Sequence, residues 1–108
     1  MTNGDDSSDP NEPWPWDQAP NVAAVTVRSV LEGAPILVVA HDDDDDGWQF
    51  LDGGDVDAKE ARLIAMRRVL HLDPSLREVA DLTPGWMAWR DRVGGPWSRA
   101  PNPRTVDQ

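Results

Sequence analysis

Five consecutive aspartates, Asp42 to Asp46, interrupt the most apolar part of the sequence. Like charges crowded this closely are too costly to bury without partners, so the run belongs in solvent and marks a turn. On its N-terminal side, Pro35-Ile-Leu-Val-Val-Ala-His41 is a continuous apolar run bounded by proline and acids, as expected for a strand covered on both faces. On its C-terminal side, Gly47-Trp-Gln-Phe-Leu-Asp52 alternates, which puts Trp48 and Phe50 on one side before Gly53-Gly54 ends the segment. The simplest arrangement is an antiparallel hairpin with an acidic tip, its aromatic strand turned toward the interior.

The rest of the chain is read around this hairpin. Val22 to Val27 is short, β-branched and apolar, suited to a strand that runs into a turn or brief helix ending at Gly33. Residues 57 to 72 support two readings. Asp57-Ala-Lys-Glu60 has the form of a capping box, and Ala61, Leu63, Met66 and Leu70 could continue one helix to about Leu72. Equally, Arg62 to Met66 could be a strand, followed by a short helix from Arg67 to Leu72 and a second helical piece from Pro74 to Ala80, with proline at a first helical position. Thr83-Pro84-Gly85 predicts a turn, and Trp86 to Asp91 a last strand, before Gly94-Gly95-Pro96. The expected fold class is α+β: a small antiparallel sheet of four to five strands with one or two short helices and disordered termini.

A chain of 108 residues has material for one core. Residues 1–21 are rich in Asn, Asp, Ser and Pro and read as a disordered or loosely docked acidic tail; residues 22–97 form the domain, and residues 98–108 read as a disordered tail. Within the first of these, Pro13-Trp-Pro-Trp16 reads as folding back onto the domain or as a docking motif. The chain contains no cysteine, which excludes disulfides, thiolate metal ligands and cysteine nucleophiles. The longest apolar stretch, Ala34 to Ala40, is far shorter than the roughly 20 residues that span a bilayer. A soluble, cytoplasmic protein without membrane contact is the expectation.

The formal net charge is −10 and unevenly placed. Residues 27 to 57 carry nine acids against one base, whereas residues 58 to 97 carry five acids against seven bases. A strongly negative face repels phosphate backbones, excluding ordinary nucleic-acid binding, and steers a basic protein toward itself.

Candidate chemistry is sparse. Asp42, Asp44, Asp46 and Gly47 reproduce the opening of a calcium loop, in which alternate carboxylates converge on a hard cation. The second half of that pattern is missing, because Gly53 stands where the bidentate Glu belongs. His41 and His71 are the sole histidines and show no ligand spacing; Ser29, Ser75 and Ser98 lack the Gly-x-Ser-x-Gly turn of a presented nucleophile; no glycine-rich phosphate loop occurs. No cofactor and no enzymatic reaction are expected. Six tryptophans with one Phe and no Tyr set the chain apart. Most serve the core or its edge. Trp86 and Trp89 would face opposite sides of a strand, so an exposed Trp89, with Arg90 and Arg92, is a candidate protein-binding anchor.

The segments Asp46-Gly-Trp-Gln-Phe-Leu-Asp-Gly53, Leu72-Asp-Pro-Ser-Leu76 and Gly85-Trp-Met-Ala-Trp-Arg90 resemble a bacterial family of unknown function, with an Asp-x-Gly-Trp-x-Phe-x-x-Gly core and a later Gly-x-x-x-x-Arg, some of whose relatives look like immunity proteins of toxin systems. The likeness spans about residues 25 to 99. It implies a small α+β domain with a strand from Gly47 to Leu51, a strand through Leu63 to Ala65, and helix around Asp73-Pro-Ser; it favours the strand-plus-helix reading of residues 57 to 72. It implies structural roles for Trp48, Phe50, Gly53, Gly85 and Arg90. The leading functional expectation is a non-enzymatic, immunity-like protein-binding module that uses Asp42, Asp43, Asp44, Asp45 and Asp46 with Trp89, Arg90 and Arg92. The alternatives are a divalent-cation-responsive module through Asp42, Asp44 and Asp46, and an acidic nucleic-acid mimic that blocks a basic protein.

Overall fold

The computed structural model describes residues 14–16, 18–54 and 57–102. They form an α+β fold around a six-stranded mixed sheet in the order β4-β1-β3-β2-β5-β6. The strands are β1 (Ala23–Val27), β2 (Val38–His41), β3 (Trp48–Leu51), β4 (Ala61–Ala65), β5 (Trp86–Trp89) and β6 (Ser98–Pro101). Helix α1 (Arg28–Leu31) follows β1, α2 (Met66–Leu72) follows β4, and 3₁₀ helices cover Ala58–Glu60 and Pro74–Val79.

The β2–β3 hairpin sits at the centre. Its register pairs Val39 with Phe50 and His41 with Trp48, and both aromatic rings are buried. Alternation then fixes the two sides of the sheet. Ala24, Thr26, Val39, Phe50, Trp48 and Ala88 point to the covered side, where they share one core with Val30, Met66, Val69, Leu76 and Val79 of the helices. Thr26 is admitted to this core because its Oγ1 donates to the Phe50 carbonyl at 2.6 Å.

Two sequence expectations are corrected. The sheet is not wholly antiparallel: β1 runs parallel to β3, because the hairpin inserts β3 between β1 and β2. It has six strands instead of four to five, because residues 98–101 pair antiparallel with β5 and are not a tail. Before residue 22, Trp16 lies on the domain, which is the fold-back reading of its segment. Trp16 is 4% exposed, edge-on to Trp48 and Phe50 at 6.0 Å, with Trp14 packed against it. The tail expectations for residues 1–13 and 103–108 lie outside the described residues.

Residues 57 to 72 take the strand-plus-helix form. Asp57 accepts from the Lys59 amide as a cap, but the helical turn stops at Glu60 and the backbone of Ala61 is extended. The short α2 has no side-chain cap; its first donors are used instead by the Val22 and Pro20 carbonyls, at 2.8 Å from Met66 N and 2.9 Å from Arg67 N. At Thr83-Pro84-Gly85-Trp86 the Trp86 amide donates to the Thr83 carbonyl, and Gly85 has a φ of +88°, the geometry of a type II turn with proline and glycine in their favoured positions.

Candidate functional site

The acidic tip is built outward from the hairpin. The Asp42 amide closes the turn on the Gly47 carbonyl at 2.7 Å, and the Asp45 carboxylate accepts from the Gly47 amide at 2.9 Å. Asp46 takes a φ of +61°, a left-handed conformation that Asp tolerates better than most residues. That conformation is held by His41 and by Gln18, and Gln18 is itself held by Trp48. Asp46 Oδ1 lies 2.6 Å from His41 Nε2, the Asp46 carbonyl accepts from Gln18 Nε2 at 2.7 Å, and Gln18 Oε1 accepts from Trp48 Nε1 at 2.9 Å. His41 is in turn stacked on Trp48 with ring centroids 4.1 Å apart, and its Nδ1 lies 2.6 Å from the Leu82 carbonyl. The base of the tip is therefore rigid, while Asp43, Asp44 and Asp45 are exposed beyond it.

Asp42, Asp44 and Asp46 are not brought together as a cation cage. Asp42 accepts from Gln49 on one side, Asp46 engages His41 on another, and among the described residues no three His, Asp or Glu side chains are grouped to hold a metal ion. This corrects the calcium-loop reading: the short tight turn spends its carboxylates on its own backbone and neighbours.

The side of the sheet opposite the core is the second part of the site. Register places Leu63, Val25, Gln49, Ala40, Met87 and Ala100 in one row across the six strands, and Ala61, Val27, Leu51, Val38, Trp89 and Ser98 in the next. Both rows are apolar apart from Gln49 and Ser98. Leu63 is 72% exposed and Trp89 39%, with Val25, Val38 and Met87 half-buried between them, whereas Val27, Ala40 and Leu51 at the centre of the rows are buried.

β5 separates the three residues expected at an interface. Trp89 points to the open side. Arg90, one residue on, turns into the protein and is 4% exposed, so its assignment to a partner surface is corrected. Its Nη2 donates to Asp73 Oδ2 at 2.6 Å and to the Ile36 carbonyl at 2.9 Å, Nη1 donates to Ser75 Oγ at 2.9 Å, and the guanidinium lies 4.2 Å from the Trp97 ring centroid. This is the structural role that the motif implied. Arg92 is exposed, in the loop after β5.

At the far end of β3, Ser29 Oγ donates to Asp52 Oδ2 at 2.5 Å and the Gly54 amide donates to Asp52 Oδ1 at 2.9 Å. The hydroxyl first, and then the backbone amide, hold this carboxyl below its ordinary value of 3.8. An apolar cleft of about 400 Å³ lies between Val30, Ile36, Leu72, Pro74 and Val93. Its one carboxylate, Asp73, is committed to Arg90 and Ser75.

Sequence reasoning missed Leu63, Val38 and Met87 as surface residues. The signal was present at Leu63, where Arg62-Leu63-Ile64 read as a strand puts Leu63 opposite its neighbours; Val38 and Met87 needed the strand order. No protein-family profile matches this sequence, and no curated protein or solved structure matches it either. Among the described residues no helix is long and apolar enough to cross a membrane.

Proposed function

We propose that this chain is a non-enzymatic protein-binding module that meets a basic protein through its acidic hairpin tip and the open sheet face bearing Trp89. The observations that carry this reading are the exposed acidic tip and the exposed Trp89, which lies on the open side of the same sheet at the opposite end of β2. Exposed carboxylates at Asp43, Asp44 and Asp45 steer a cationic partner, and Trp89 beside Val38 offers an aromatic anchor on the same sheet. The motif resemblance adds an immunity-like role, in which the basic partner is a toxin domain that this chain blocks. The charge is clustered at loop ends instead of being spaced like phosphates along one face, which favours protein recognition over nucleic-acid mimicry.

The test is capture from the source cell by the full chain, compared with the Asp43→Asn/Asp44→Asn/Asp45→Asn variant. The reading expects one discrete basic protein, retained at low salt and lost with the variant. Equal capture by both forms would refute it. The immunity-like form further expects a gene for a basic toxin domain beside the gene for this chain.

A further inference from the structure

His41 ends β2 with its ring buried, and both ring nitrogens face oxygen atoms. Nδ1 lies 2.6 Å from the Leu82 carbonyl, and Nε2 lies 2.6 Å from Asp46 Oδ1. A carbonyl has no hydrogen to give, so the first contact places a proton on Nδ1. The second contact is a hydrogen bond only if a proton sits between Nε2 and the carboxylate. A neutral imidazole beside an ionised carboxylate supplies one proton for these two positions, and the contacts need two. Without the second, the Nε2 lone pair stands against a carboxylate oxygen at hydrogen-bonding distance. Trp48 stacks on the ring with centroids 4.1 Å apart, so turning the imidazole away would break that stack and the Leu82 contact together.

We infer that the His41–Asp46 contact is a proton-operated latch: the acidic turn is locked onto the sheet while the pair holds its second proton, and is released when that proton leaves. The device lies in the fold itself and does not depend on what the tip binds. Its reach is local, because the Asp42 amide on the Gly47 carbonyl keeps the hairpin closed in either state. Asp46, however, keeps a φ of +61°, outside the ordinary range of a residue with a side chain. With the His41 bond gone, the Gln18 bond to its carbonyl is the hold that remains among the described residues. The backbone can then leave the left-handed region, and Asp43, Asp44 and Asp45 lose their fixed orientation. Asp46 is the carboxylate in contact with the ring. Of the charged groups around it, Asp42 accepts from Gln49, Asp43, Asp44 and Asp45 lie outward on the turn, and Asp81, beside Leu82, pairs with Arg99 of β6 at 2.9 Å. Trp48 and Trp86, the register partners of His41 on β3 and β5, carry no titratable group, nor does Gln18, which bonds to Asp46 and Trp48.

The experiment follows the full chain by NMR from about pH 5 to 9, a span chosen for histidine. It reads the ring nitrogens of His41 and His71, the amides of the tip, and the vicinal amide–Hα coupling of Asp46, which reports its φ. At the acid end both His41 nitrogens should carry hydrogen. As His41 loses one, the Asp46 coupling and the amides of Asp43 to Gly47 should change with the same midpoint, while Val39 and Val69 stay still. His71, exposed at the end of α2, is the internal comparison, and its midpoint should not govern the tip. Asp46→Asn separates the latch from the turn, because asparagine tolerates the same backbone conformation and can either accept from Nε2 or donate to it. In that variant the coupling at position 46 should stay constant across the range. A parent chain in which His41 loses its proton while the Asp46 coupling holds would overturn the inference. So would a ring singly protonated throughout, a ring that keeps both protons to the alkaline end, or an Asp46→Asn variant whose turn moves as the parent's does.

Discussion

Arg90 joins four parts of the chain at one guanidinium: the end of β5, the Ile36 carbonyl before β2, the Asp73–Ser75 turn and the Trp97 ring. Its side chain is fully buried and that of Asp73 nearly so, so removing one partner strands the other charge. Arg90→Ala is expected to cost about 3–5 kcal/mol in denaturant unfolding, whereas Arg92→Ala, at an exposed position, should stay within about 0.5 kcal/mol. Arg90 was legible in sequence only through the motif, because composition reads an Arg beside Trp as surface. Asp52 supplies the pH dependence at this scale. Its folded carboxyl titrates below 3.8, so its contribution to stability is present above that value and is lost as pH falls through the lowered one. Ser29→Ala removes the largest cause, and the Asp52 midpoint, followed by carboxylate NMR, should move up toward 3.8.

At the level of elements, the N-terminal strap shows how a segment without regular structure is held. Among the described residues, no backbone–backbone hydrogen bond joins residues 14–18 to the sheet. The strap is held by the Trp16 ring on Trp48 and Phe50 and by the Gln18 side chain. Trp16→Ala should therefore destabilise by about 3–5 kcal/mol. Trp16→Phe should recover much of that loss, because the buried indole Nε1 has no partner among the described residues, and phenylalanine removes that donor while keeping a ring. Thermal and denaturant unfolding of the two variants checks the difference. The hairpin was readable because alternation and charge agreed at Asp42 to Phe50. Residues 57 to 72 were not decided by local pattern, since a capping box and a strand signal overlap there, and the edge strand Ser98–Pro101 carries too little apolar alternation to be seen. The parallel β1–β3 pair depends on strand order, which no local segment encodes.

For the whole molecule, the consequence is a sheet with two different sides. One side packs three short helical segments and the Trp16 strap into a core; the other presents exposed Leu63 and Trp89 with Met87 half-buried. With a net charge of −10, association with a basic partner should weaken as salt rises from about 0.05 to 0.5 M, through a slower association rate, and binding kinetics at several ionic strengths would show it. The most direct measurement is solvent relaxation enhancement by a neutral gadolinium chelate on the free full chain. Strong enhancement is expected at the side chains of Leu63, Met87 and Trp89, with Val39, Phe50 and Val69 silent. Leu63, Met87 and Trp89 as shielded as Phe50 would mean that the open face is closed, and would contradict the account.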